Sequence, residues 1–285
     1  MSGTRRRARG RPRRVATLLV VVSALGCVAL CVAGRADGGR WVHVESPSMG
    51  TTAPVGSLLW VEPVPFESLE PGDFITFTAP DSPDGATYSH LVLSRDADGS
   101  LSTKGVIPAP DPWRLREDDV VGQVRMTWPG VGWLVVAAPI LLGGFCALMA
   151  IRTVVRRDWR LPVTVLAGSA TVALAIAIHS PLIGAERIAF VPTETGARAT
   201  YVGTGLLPVR VSGGEESTVL GAGEQGSVDI DRVDDDGMFR AELGPAIPPW
   251  WWALLILACV APAVVSTVAR RPAARTGVGR DPAYA

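Results

Sequence analysis

Four apolar stretches, Val15 to Ala33, Val131 to Ile151, Leu161 to Ile178 and Trp250 to Ala269, constrain this 285-residue chain more than any other feature. Each is close to the ~20 residues that a helix needs to cross ~30 Å of hydrocarbon. None carries a charged side chain, and Arg152 stands just beyond the edge of the second. The hydrophobic fraction of 48% is high for a soluble protein of this length. Four transmembrane helices are therefore expected, at 15–33, 131–151, 161–178 and 250–269.

A formal net charge of zero conceals a sorting of charges between those stretches. Segments 1–14, 152–160 and 270–285 together hold 15 arginines against only Asp158 and Asp281, which leaves 12 positive and 25 negative charges for 34–128 and 181–248. Positive charge near helix ends is retained on the cytoplasmic side. The basic N-terminus, the short middle loop and the tail are thus expected inside, and 34–128 and 181–248 outside, in a multi-pass protein of the cell membrane. A cleavable leader ending near Val32-Ala33-Gly34 is the alternative for the first stretch. Seven arginines beside a membrane span read as a topology determinant touching anionic lipid rather than as a nucleic-acid site.

All four cysteines, Cys27, Cys31, Cys146 and Cys259, fall inside apolar stretches. The outer segments therefore cannot build a disulfide framework or a zinc site. Neither a cofactor nor a metal is expected.

The first outer segment consists of short runs rich in Val, Leu, Phe and Thr, broken by Pro, Gly and Asp. Strands are predicted at Trp41–Val44, Leu58–Val61, Phe74–Thr78, Ser89–Leu93, Ser100–Thr103 and Val120–Arg125, with a hairpin turn at Ala97-Asp98-Gly99. No 3.6-residue period interrupts them, so a mainly-β module is expected. The second outer segment reads as a small, acidic, β-rich domain with strands at Ala199–Val202, Val209–Val211, Ser227–Ile230 and Phe239–Ala241. Its acids Asp229, Asp231, Asp234, Asp235 and Asp236 lack the spacing of a calcium loop and read as a solvated turn.

Three histidines and one lysine are the only candidate bases. His179 directly follows the third apolar stretch, where an interfacial anchor is expected, and His43 lies in a predicted strand with a structural role. His90 differs, because it shares the first outer module with the serine cluster Ser46-Pro47-Ser48-Met49.

Around these residues runs an ordered series: Ser46-Pro47-Ser48-Met49, Pro54-Val55-Gly56-Ser57, Glu70-Pro71-Gly72-Asp73-Phe74-Ile75, Ser89-His90-Leu91-Val92, Thr103-Lys104-Gly105 and Val120-Val121-Gly122-Gln123-Val124. The series resembles the boxes of type I signal peptidases across residues 41–125. Histidine, not lysine, stands at the base position, so the resemblance is to the endoplasmic-reticulum, archaeal and sporulating Gram-positive branch.

The resemblance implies a membrane-bound serine endopeptidase that removes signal peptides from exported preproteins, with the secretion translocon among its candidate partners. It implies Ser48 as nucleophile and His90 as general base, an activation that a serine hydroxyl needs at neutral pH. It also implies an aspartate orienting the histidine, for which Asp111 is the best match, and an oxyanion donor at Ser46. Asp73, Asp118 and Asp119 are the other acids considered, each with a turn or packing role as the simpler reading. The chain departs from the family pattern at Gly50-Thr51, where an acid and a proline are usual, at Leu91, where arginine is usual, and at Val106-Ile107, where aspartate usually follows the Thr-Lys-Gly box. A catalytically silent scaffold of the same fold is the alternative, and a transporter is disfavoured by the lack of polar groups within the spans.

Overall fold

The computed structural model describes residues 38–80, 85–194, 196–231 and 239–254, together with 256, 257 and 260. The basic N-terminus, the first apolar stretch, the C-terminal tail and Asp234 to Asp236 lie outside the described residues. So does most of the fourth stretch, of which 250–254 are helical.

In the first module, residues 34–128, the predicted strands form one six-stranded sheet. They are β1 (Arg40–His43), β2 (Leu58–Glu62), β3 (Phe74–Thr78), β4 (Thr87–Arg95), β5 (Leu101–Lys104) and β6 (Val120–Trp128), in the order β1-β2-β6-β3-β4-β5 with every neighbour antiparallel. Three strands outrun their predicted lengths, β2 by Glu62, β4 at both ends and β6 towards Trp128. Strand β5 starts one residue late because Ser100 is held in the preceding turn, where its N–H and hydroxyl both donate to Asp98 Oδ1 at 3.1 and 2.6 Å. Those two bonds hold the Asp98 carboxyl below its usual range.

Alternation along the strands sends apolar side chains to both faces. Leu69, Ile75, Phe77, Val92, Leu101 and Leu115 fill one core, and Val44, Met49, Ala53, Leu59 and Val61 fill the other. Phe77 is fully buried, which contributes about 1.5–3 kcal/mol relative to exposure.

Strand β6 runs through Pro129 and Gly130 directly into helix α1 (Val131–Val154); a single 3-10 turn at Arg157–Trp159 then leads to helix α2 (Arg160–His179). The two helices pack on each other, and both are long and apolar enough to cross a membrane. Only 6% of the most apolar window of each is buried, and Leu134, Leu142 and Leu166 are 64%, 64% and 73% exposed. Continuous apolar surface of this extent requires a hydrocarbon or protein environment. Both helices extend past the predicted 131–151 and 161–178, and the loop predicted at 152–160 shrinks to 155–159. Arg152 and Arg160 are accommodated in the terminal turns, where long basic side chains keep their charge in water.

The second module, residues 181–248, contains two three-stranded sheets. One has the order β10-β9-β12 and the other β11-β8-β7, from β7 (Ala185–Thr193), β8 (Gly196–Gly203), β9 (Val209–Ser212), β10 (Ser217–Leu220), β11 (Gln225–Ile230) and β12 (Glu242–Pro245). Ala199, Tyr201, Val209, Val211, Leu220, Val228 and Ile230 form its core. The strand expected at Phe239–Ala241 lies instead at β12. Phe239 and Ala241 pack against the core, but the ladder with β9 begins only at Glu242. Strands β7 and β10 were not expected from the sequence; β7 carries Pro192, a residue that belongs on sheet edges.

Candidate active site

Ser48 sits in a single 3-10 turn, Pro47–Met49, between β1 and β2. Proline fixes the backbone at the start of the turn. Pro47 and Met49 are buried, and Met49 anchors the turn in the second core. The Ser48 hydroxyl is thereby raised above a fixed backbone. From the other side, the Ile107 N–H donates to the Ser48 carbonyl at 3.0 Å. Gly105 makes this approach possible, since a Cβ there would lie 2.9 Å from that same carbonyl oxygen.

His90 lies in β4 opposite Ile75 of β3, is 4% exposed, and has its ring edge-on to Phe77 at 6.0 Å. Asp111 belongs to the loop after β5, where its N–H donates to the Thr103 carbonyl at 2.9 Å and bridges Lys104 and Pro110 hold the loop against the strand.

These three elements bring the side chains into one line. Ser48 Oγ is 3.0 Å from His90 Nε2, and His90 Nδ1 is 2.7 Å from Asp111 Oδ2. A carboxylate can only accept, so Nδ1 carries the proton and Nε2 is left to accept from the serine hydroxyl. The His90 and Asp111 side chains are 5% and 8% exposed, so the pair is shielded from water while Ser48 faces the cleft. Ser46 Oγ lies 3.1 Å from Ser48 Oγ, which puts its hydroxyl at the edge of the site where an oxyanion donor is expected.

Asp73 and Asp119 are engaged elsewhere. Asp73 accepts from the Glu70 N–H at 2.8 Å and from Gln123 Nε2 at 2.7 Å, and Asp119 accepts from the Arg116 N–H at 2.8 Å. Asp229 is held by Arg198 through bonds of 2.6 and 2.7 Å, which keep its carboxyl below the usual range. Among the described residues no group of three or more His, Cys, Asp or Glu could hold a metal ion.

His43 stacks edge-on against Trp133 at 5.6 Å, at the foot of α1, and its Nδ1 lies 3.5 Å from Glu45 Oε1. His179 is the last residue of α2. Lys104 pairs across the ladder with Leu91, and Thr103 with Val92. Alternation therefore puts Thr103 on the face of His90 and Lys104 on the opposite face.

Thr103 is the member of this hydrogen-bonded line that sequence reasoning passed over. It is fully buried, and its hydroxyl donates to Asp111 Oδ2 at 2.6 Å, on the same oxygen that His90 engages. The signal was present in the first residue of the Thr-Lys-Gly box. A cleft of 630 Å³ opens over Ser48 and His90, bounded by Tyr88 and Pro108, and on its far side by Arg187 and Ile188 of β7. A smaller pocket of 260 Å³ adjoins Ser48 between Val42, Val44 and Thr87. No family model matches this sequence, and neither does any curated protein.

Proposed function

We propose that the protein is a membrane-bound serine endopeptidase that removes signal peptides from exported preproteins. The observation that carries this reading is the continuous hydrogen-bonded line Ser48–His90–Asp111 at the floor of an open cleft. Ser48 Oγ attacks the scissile carbonyl as His90 Nε2 takes its proton, and Asp111 stabilises the imidazolium that forms. The Ser48 N–H, in a first helical turn with no intrahelical acceptor, and the Ser46 hydroxyl meet the developing oxyanion. His90 then protonates the leaving amine, and water resolves the acyl-enzyme by the same route in reverse. The 260 Å³ pocket beside Ser48 has room for small side chains next to the scissile bond.

The position of the site relative to helix α1 supports a substrate presented at a membrane surface. Trp41 packs against Trp60 at 4.6 Å and Trp128 at 5.1 Å, and Trp133 lies in the first turn of α1. Tryptophan concentrates at the membrane–water boundary. This reading puts the two outer modules outside the cell and the loop at 155–159 inside.

Two experiments test this reading. The first asks which base serves Ser48. His90→Ala is expected to lower kcat by ~10⁴ or more, and Thr103→Val to lower kcat/KM roughly tenfold, the loss of one hydrogen bond to a charged acceptor. Lys104→Met, on the opposite face, is expected to have the smallest effect of the three. A Lys104 variant as inactive as the His90 variant would instead assign the proton to lysine. The second locates the modules by single cysteine labels at the exposed residues Asp98, Glu215 and Asp158, in a background with the native cysteines replaced. Labels at the first two should react in intact cells and the third only after permeabilisation; any exchange of sides overturns the topology.

A further inference from the structure

The second outer module does more than decorate the fold, because it forms part of the cleft. Glu186, Arg187, Ile188 and Ala189 of β7 line the same 630 Å³ space as Ser48 and His90. None of the nine residues of β7 is buried, and Ile188, Phe190 and Val191 are 37%, 40% and 58% exposed. The strand pairs with β8 on one side only, and among the described residues its other edge has no strand partner. Its register with β8 shifts between Arg187 and Ala189, which leaves Ile188 as the extra residue of a bulge at the cleft wall. Bulges at sheet edges re-aim side chains.

A second contact fixes this wall relative to the nucleophile. A Cβ on Gly223, in the turn between β10 and β11, would collide with the Gly50 carbonyl just after Met49. Both glycines have positive φ, +53° at Gly50 and +76° at Gly223, a conformation that side chains with a Cβ resist. The Gly50-Thr51 departure from the family pattern therefore falls where the second module docks.

Resting on the proteolytic reading above, we infer that β7 is the substrate-aligning wall of this cleft. An extended polypeptide lies along the Glu186 to Ala189 part of the β7 edge, with an apolar side chain against Ile188 and its scissile bond at Ser48. The occupant is extended chain because an unpaired strand edge offers a row of backbone donors and acceptors, which only another extended backbone satisfies along its length. Continuity between that edge and the nucleophile selects the substrate over an unrelated partner.

The test uses the full chain reconstituted in lipid vesicles and a synthetic peptide with alanine before the scissile bond and apolar residues on both sides. Ile188→Arg is expected to raise KM about tenfold, with kcat within about twofold of wild type. Val191→Arg, on the same strand but outside the cleft, should change neither. Equal KM for wild type and Ile188→Arg, or equal effects of both variants, overturns the proposal while leaving the peptidase reading intact. Photocrosslinking from a reactive residue in place of Ile188, in the Ser48→Ala background, provides a readout independent of turnover. Capture of the peptide there and not from Val191 supports the wall even if wild type fails to cleave, in which case the peptidase reading alone falls. Absence of capture at Ile188 overturns the wall.

Discussion

Ser48→Ala is expected to lower the kcat of the reconstituted chain by ~10⁴ to 10⁶ with membrane insertion unchanged. The change removes one oxygen from an open position in the cleft and leaves Pro47 and Met49, which hold the turn, buried. It takes away the hydroxyl oxygen that lies 3.0 Å from His90 Nε2 and is positioned to form the acyl bond. His90→Ala should cost about as much, since an unactivated hydroxyl is a poor nucleophile at neutral pH. The double variant should be no worse than either single one, because the two residues act as a unit. Turnover of a fluorogenic peptide by the three variants measures this. Losses that multiply in the double variant would mean that the two residues act independently and that the 3.0 Å contact is not the route of the proton.

Asp111→Asn carries the second large effect, a fall in kcat of ~10⁴. Asparagine keeps the shape of the side chain, but its amide group cannot accept two hydrogen bonds while stabilising positive charge. Asp111 Oδ2 accepts from both Thr103 and His90, at 2.6 and 2.7 Å, so an amide oxygen turned there no longer offsets the imidazolium. An amide nitrogen turned there would force the imidazole into the wrong tautomer, with Nε2 protonated and unable to take the serine proton. Asp118→Asn and Asp119→Asn, in the 3-10 turn before β6, should stay near wild type. Equal activity across the three variants would show that another group orients His90.

Much of this arrangement was legible in the sequence, because its elements are local. Strands β2 and β3 fall on runs rich in Val, Leu, Phe and Thr bounded by Pro, Gly and Asp, and the apolar residues at 131–151 and 161–178 lie within helices α1 and α2. Ser48 and His90 could be named from ordered boxes, and Asp111 from its spacing after the Thr-Lys-Gly box. Their convergence depends on strand register, which no box encodes. The pairing of Val92 with Thr103 puts the threonine hydroxyl, rather than the Lys104 amine, on the face of His90. Strand β7 was missed for a related reason. Its sequence, Ala-Glu-Arg-Ile-Ala-Phe-Val-Pro-Thr, does not alternate, because no residue in it is buried and nothing imposes a two-residue period. The glycine at Gly50 read as a departure until Gly223 was seen to need the space beside it.

Cleavage of preproteins by Ser48 near their signal peptides is tested most directly by incubating the membrane-reconstituted chain with a panel of radiolabelled preproteins and sequencing the N-termini of the products. The wild type is expected to yield a new N-terminus after a small residue, and Ser48→Ala to leave the preprotein intact. Identical products from both proteins, or intact preproteins throughout the panel with the wild type, would contradict that expectation, and the latter would return the chain to the silent-scaffold reading.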